Sequence, residues 1–133
     1  HLSIRRQRQM CIRDRGAPLR EYTDPAYRPL CATLSEVRAN IDRLDDEIVR
    51  LMAERAMYVK DAARFKRDAF QVSAPARQAE VFEKVRRLAE RHDRGFENLD
   101  QVVDAAYRAM VAAFIANEQT YFNTMRIVGD KHA

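Results

Sequence analysis

Between Thr33 and Arg67 the apolar positions Leu34, Val37, Ile41, Leu44, Ile48 and Leu51 step by 3, 4, 3, 4 and 3 residues. That spacing keeps a single apolar stripe on one helix face. No Gly or Pro interrupts the segment, and Thr33 with Glu36 has the S/T-x-x-E form of a capping box. The pattern predicts one helix over 33–67. At a rise of ~1.5 Å per residue it would be about 50 Å long, more than a compact monomer of this size accommodates. Further along, the same face carries Arg55 and Lys66, cations where a packed seam should have apolar side chains.

After Arg67 the spacing loosens, and Asp68 to Ala74 reads as a loop with Val72 as its anchor to a core. Ser73 and Pro75 mark a second helix, with Pro in the first turn where its missing N–H costs nothing. Val81, Phe82, Val85, Leu88 and Ala89 keep helical spacing up to His92. The segment HDRG then stops the helix, with Gly95 as the left-handed residue. Asn98, with Gln101 three residues on, reads as the cap of a third helix. Its apolar face is Val102, Val103, Ala106, Tyr107, Met110, Val111, Phe114 and Ile115, and it runs to Asn123 or Met125. The alanines at 105, 106, 109, 112, 113 and 116 would permit close helix approach. Between Pro29 and Gly129 the only breakers are Pro75 and Gly95, and no strand pattern appears. The expected fold is all-α, a three-helix chain of long, medium and long helices over residues 30–128. Residues 1–29 form a disordered leader and residues 129–133 a frayed tail.

Composition changes this picture in only a few places. The chain has 133 residues, which suits one domain, and its net charge is +4. Residues 1–28 hold seven Arg against Asp14, Glu21 and Asp24, so the leader carries the whole excess and the helical part is neutral. The leader has neither helical period nor interleaved aromatics before Tyr22, so no nucleic-acid partner is expected. The run IRRQRQMCIRDR resembles translated adaptor or vector sequence and is set aside from fold reasoning, and the start at His1 reads as a fragment. No apolar run approaches the ~20 residues of a membrane span, so no membrane association is expected. Cys11 and Cys31 form neither a CxxC nor a metal spacing. A reducing, cytoplasmic setting follows, with no metal and no cofactor.

The cations in the seam point to an anionic ligand. Arg55 and Lys66 are eleven residues apart, three turns plus ~20° at ~100° per residue, so on a continuous helix both face the same way. Arg38 lies seventeen residues before Arg55, about 25 Å away along the helix, beyond reach of the same ligand. If two copies of the helix pack antiparallel about a twofold near Ile48–Leu51, each Arg38 falls opposite residues 58–64 of the other chain. The stripe that requires a partner would then also complete a cation cluster, which is tolerable only around anions. As solvated helix-face charges, the same residues would carry no function.

The segments EVRANIDRLDDEIVRLMAERAMYVKDAARFK, SAPARQAEVF and FIANEQTYF resemble the all-helical class of chorismate mutases, most nearly the bacterial branch that includes isochorismate pyruvate lyase. The resemblance covers roughly residues 33–122. It implies an intertwined homodimer with two shared active sites, each taking an arginine from the other protomer, and a small dicarboxylate substrate. Arg38 would be the crossing arginine, and Arg55 a carboxylate clamp in its own chain's site. Lys66 would hydrogen-bond the ether oxygen of the breaking bond, Arg77 would line the same pocket, and Gln119 would donate to the ether oxygen from the other side. The reaction so implied, chorismate to prephenate, is a pericyclic step that needs no nucleophile, metal or proton transfer. It is helped by holding the compact conformer and by placing positive charge where the enolpyruvyl oxygen gains negative charge.

Where well-studied mutases carry an acidic pair for the ring hydroxyl, this chain has Ala74 and Gln78. Gln78 can still hydrogen-bond a hydroxyl, and Ala74 only through its backbone. The lyase-like members lack those acids too, so chorismate and isochorismate both stand as substrates, with mutase first and isochorismate pyruvate lyase as the alternative. A non-catalytic helical dimerisation module is the reading from another class.

Overall fold

The structure, a computed structural model, describes residues 16–129. The first half of the leader, with Cys11, and the tail from residue 130 lie outside the described residues. Among the described residues there is no strand. The order is α1 (Leu34–Ala62), a 3-10 turn (Ala63–Phe65), α2 (Ala69–Ser73), α3 (Pro75–His92) and α4 (Leu99–Thr124). Among the described residues no helix is long and apolar enough to cross a membrane. The chain divides into two units, one through Met52 and one from Ala53.

In the first unit, residues 18–30 are exposed irregular backbone, punctuated by an Asx turn in which Asp24 Oδ1 accepts from Ala26 N–H at 2.9 Å. The start of α1 is capped from both directions. Glu36 N–H donates to Thr33 Oγ1 at 3.2 Å, and Glu36 Oε2 accepts from Ala32 N–H at 3.1 Å. The return bond thus reaches the residue before the cap, and the box forms with a shift of one position. No residue of α1 is buried. Leu34, Val37, Ile41, Leu44, Ile48 and Leu51 are each between 38% and 54% exposed, so the stripe is in place and the single chain leaves it uncovered.

The second unit holds the core. Val81, Val85 and Ala89, at successive four-residue steps on α3, are buried where α3 packs on α4. The 3-10 turn and α2 also pack against α4, burying Ala63 and Val72, and on α4 itself Val111 and Glu118 are buried. The alanines of α4 that would permit close approach are all exposed instead. The face used is the valine-bearing one, because burying branched side chains removes more apolar surface from water.

The first helix is shorter than its periodicity predicts. α-Helical geometry stops at Ala62, the 3-10 turn tightens the end, and Lys66 leaves with φ −95° and ψ 143°. Lys66 is therefore not on the helix, and the eleven-residue phase argument does not place it. The cause is a competing helix start. Asp68 Oδ1 accepts from Gln71 N–H at 2.9 Å, and Gln71 Oε1 accepts from Arg67 N–H at 2.6 Å. This reciprocal Asp-x-x-Gln cap nucleates α2 inside the expected loop, with Val72 buried as the anticipated anchor. The expected cap at Asn98 fails in the opposite sense. Asn98 adopts φ 57° and makes no side-chain cap bond, and its carbonyl accepts from Gln101 and Val102 instead. Gly95, at φ 106°, takes the left-handed conformation expected of it.

Ala74 is the one backbone joint with a steric cost to an alanine. It ends α2 and begins α3 at φ 45°, ψ 62°, a region where a Cβ costs about 1 kcal/mol or more. Its N–H donates to Phe70 O and its C=O accepts from Gln78 N–H, both at 2.9 Å, so both helices hold it there. Ala74→Gly should raise stability by about 0.5–1 kcal/mol, seen as a higher urea midpoint at fixed protein concentration; an unchanged or lower midpoint would mean that the joint carries no strain.

Candidate active site

The second unit forms an open cavity of about 320 Å³, within the range of small-molecule sites. Three stretches of chain build it. The last turns of α1 contribute Arg55, Tyr58, Val59 and Ala62, a 3, 4, 7 spacing that keeps all four on one face. The reversal after the 3-10 turn brings Lys66, and the α2–α3 joint brings Val72, Ser73, Ala74, Arg77, Gln78 and Val81. The far wall is the α4 face of Val111, Phe114, Ile115 and Glu118, again at 3, 4, 7.

Each cation is held differently. The Arg55 guanidinium carbon lies 5.3 Å from the centroid of Phe114 and 6.0 Å from that of Tyr107, so aromatic faces steady it. Its planar fork suits two-point recognition of a carboxylate. Lys66 Nζ donates to Glu118 Oε2 and to Gln71 O, each at 3.2 Å. The Glu118 side chain is 5% exposed and that of Lys66 is 23% exposed, which makes this the most buried ion pair of the described residues. Arg77 reaches Glu80 at 3.3 Å with both side chains largely in water, a pair worth little energetically and readily exchanged for a ligand anion. Gln78 Nε2 donates to Ser73 O at 2.6 Å. No His or Cys lines the cavity.

Arg55, Lys66, Arg77 and Gln78 thus converge on one cavity, although Lys66 arrives there by a route the periodicity did not describe. Two expected residues do not join them. Arg38 sits on an exposed turn of α1 in the first unit and is outside the lining. Gln119 is also outside it, its Nε2 donating to Ala69 O at 2.9 Å. The residue on that wall is Glu118, and the reason is rotation. From Val111 a seven-residue step returns to within ~20° of the starting direction, whereas eight residues overshoot to ~80°. Glu118 was missed by reading the segment for a neutral donor. Its signal was a carboxylate on the apolar side of a helix, where charges are rarely buried unless paired.

Three cations, an amide and the buried Glu118 carboxylate line one largely apolar cavity, a set of donors chemically suited to hydrogen-bonding anionic groups. The sequence pattern described as chorismate mutase type II matches residues 37–119, an interval that includes Arg38, Arg55, Lys66, Arg77, Gln78, Glu118 and Gln119. The chain belongs to the chorismate mutase type II family. It is similar to isochorismate pyruvate lyase of Pseudomonas aeruginosa, 32% identical over 97 residues that cover 72% of this chain and 91% of that protein. It is also similar to the bifunctional chorismate mutase/prephenate dehydratase of Aquifex aeolicus, 36% identical over 87 residues. A third relative is the chorismate mutase of Methanocaldococcus jannaschii, 33% identical over 61 residues. The match takes in 65% of this chain and 24% of the Aquifex protein, and 45% and 62% respectively for the Methanocaldococcus protein. The chain therefore spans about a quarter of the first and under two thirds of the second.

If the cavity is an anion receptor, Arg55 should matter more than Arg77, because its aromatic seat fixes the guanidinium before a ligand arrives. Arg55→Ala should weaken the binding of a small cyclic dicarboxylate by roughly tenfold or more and Arg77→Ala by less, as measured calorimetrically. The reverse order would assign the clamp to Arg77.

Proposed function

We propose that this chain rearranges chorismate to prephenate. The observation that carries the reading is the convergence of Arg55, Lys66 and Arg77 on one mostly apolar cavity lined by no His or Cys. A pericyclic rearrangement asks for such a site. Arg55 holds one carboxylate and Arg77 closes the mouth around the same anion. Gln78 meets the ring hydroxyl. Lys66 places an ammonium at the ether oxygen, where negative charge grows as the C–O bond lengthens. Fixed charge in a partly dry cavity stabilises that change without reorganising solvent, and clamping both carboxylates favours the compact reactive conformer.

The site reaches its full cation set in a homodimer. Support comes from the uncovered α1 stripe and the exposed alanine face of α4. A second copy is the occupant that suits an uncovered stripe on a helix whose midpoint lies at Ile48, since antiparallel pairing about that point lays each stripe along the second half of the other copy's helix. In that arrangement the partner's Arg38 falls opposite residues 58–64, the stretch from which Tyr58, Val59 and Ala62 line the cavity. It supplies the second carboxylate clamp.

Isochorismate pyruvate lyase activity at the same site is the second reading. It is favoured by Ala74 and Gln78 at the hydroxyl-reading positions and by the relative of that name, which the match covers almost end to end. The two substrates differ in where the hydroxyl sits, so the α2–α3 joint decides between them.

Three outcomes are expected. Incubation with chorismate yields prephenate, whereas salicylate plus pyruvate from isochorismate with no prephenate from chorismate assigns the lyase instead. Lys66→Ala lowers kcat by about 10²–10³-fold, because it removes a charge used mainly in the transition state; normal turnover would refute this mechanism. Mixing Arg38→Ala with Arg55→Ala protomers restores activity, as each mixed dimer regains one site with both arginines. Inactive mixtures in which mixed dimers demonstrably form would refute the shared site.

A further inference from the structure

A second cavity, of about 510 Å³ and open to solvent, shares the α2–α3 joint with the first. Its charged lining is Arg86, Arg108 and Glu83, and Phe82, Pro75 and Ala79 give it an apolar side. The proposed reaction uses none of these six residues.

Both guanidinium groups are held from outside the cavity. Arg108 Nε donates to Asp104 Oδ2 at 2.9 Å, one turn back on α4, and its guanidinium carbon lies 4.4 Å from the centroid of Phe82. Arg86 Nη2 donates across from α3 to Asp100 Oδ2 of α4 at 3.5 Å. Neither aspartate lines the cavity. As exposed ion pairs these contacts add little to stability. They restrain two cations, however, and leave most of the N–H donors of each for an anion. The third charge, Glu83, is taken up by Arg87 Nη1 at 2.8 Å, and Arg87 is also outside the lining. Two restrained guanidinium groups suit a planar carboxylate, and the apolar side offers its carbon body a place out of water.

Ser73 and Gln78 belong to both linings and form a common wall. Gln78 Nε2 donates to Ser73 O at 2.6 Å and lies 3.5 Å from Ser73 Oγ. We propose that the outer cavity binds a small carboxylate and that its occupancy is felt in the reaction cavity through Ser73 and Gln78. The binding half stands on the outer cavity alone. The coupling half rests on the mutase reading, in which Gln78 meets the ring hydroxyl. A bound carboxylate offers new acceptors to the Ser73 hydroxyl and the Gln78 amide, and a Gln78 drawn outward is lost to the substrate. A contact made equally in the ground and transition states is expressed in KM rather than kcat.

The probe is para-fluorobenzoate, titrated into the full chain and followed by fluorine NMR. It should bind with a Kd of about 1–10 mM, and Arg55→Ala should leave that binding intact. Arg86→Gln/Arg108→Gln should weaken it about tenfold or more. Ala79→Glu should do the same, since it adds a carboxylate to the lining and leaves both arginine–aspartate pairs in place. With chorismate as substrate, the probe should raise KM about 3- to 10-fold and leave kcat within about twofold. The double variant should match wild type without the probe and show no such rise with it. No binding, binding that persists in both outer-cavity variants, or binding lost in Arg55→Ala overturns the site. Inorganic phosphate binding as tightly as the probe overturns the carboxylate class. An unchanged KM overturns the coupling, and so does a rise that persists in the double variant, because the probe would then compete in the reaction cavity. If the wild-type chain converts neither chorismate nor isochorismate, the functional reading fails and takes the coupling with it. The titration then decides the outer site by itself.

Discussion

Lys66 and Glu118 lie fifty-two residues apart in sequence and 3.2 Å apart in space. Three features of the second unit bear on that meeting. α1 has to stop at Ala62 so that the chain can turn back. α2 has to form so that Val72 is buried and the turn is pinned. α4 has to present a carboxylate on its inward face. The pair costs desolvation on both sides, offset by a charge-assisted hydrogen bond at 3.2 Å in a partly water-excluded space. The cavity is the volume left between the last turns of α1, the α2–α3 joint and α4 once the reversal is fixed.

A second constraint acts on the other half of α1. An amphipathic helix of 29 residues gains stability only when its apolar face is covered. From Leu34 to Leu51 that face is largely exposed, while the core of the chain lies in α3, α4 and the short elements beside them. In the proposed dimer one helix serves both ends of the problem. Its first half supplies an uncovered apolar stripe and Arg38, and its second half supplies Arg55 and a wall of the cavity. Stability and catalysis then share one interface.

A third constraint lies at the joint between α2 and α3, which lines the cavity and in the proposed reaction would set specificity. Ala74 occupies a left-handed conformation that alanine adopts only under restraint, and the helices on both sides impose it. Backbone strain beside a binding cavity fixes the directions of nearby groups. Here it sets Ser73 and Gln78 against one another, with the Gln78 amide donating to Ser73 O. In the proposed reaction the ring hydroxyl would meet a neutral amide and backbone polar groups, a softer discrimination than a carboxylate pair provides.

Much of this was legible in the chain itself. Apolar spacing determined a long, a medium and a long helix and the face the middle one buries. Pro75 and Gly95 marked where that middle helix begins and ends, and Val72 stood out as the anchor of the turn. The cations Arg55 and Lys66 were visible as charges in unusual places, and Arg77 through the family resemblance. What the sequence did not settle was local competition: Asp68 and Gln71 outbid the continuing helix, and Asn98 chose a left-handed backbone over a side-chain cap. These contests turn on fractions of a kcal/mol to about one kcal/mol, which periodicity does not weigh. The change from Gln119 to Glu118 on the cavity wall belongs to tertiary structure alone. A single residue rotates a helix by ~100°, so which of two polar neighbours faces inward depends on how α4 packs, not on its composition. The long first helix was recognisable from its stripe; that its end must break to deliver Lys66 to a buried carboxylate was decided only when the helices came together.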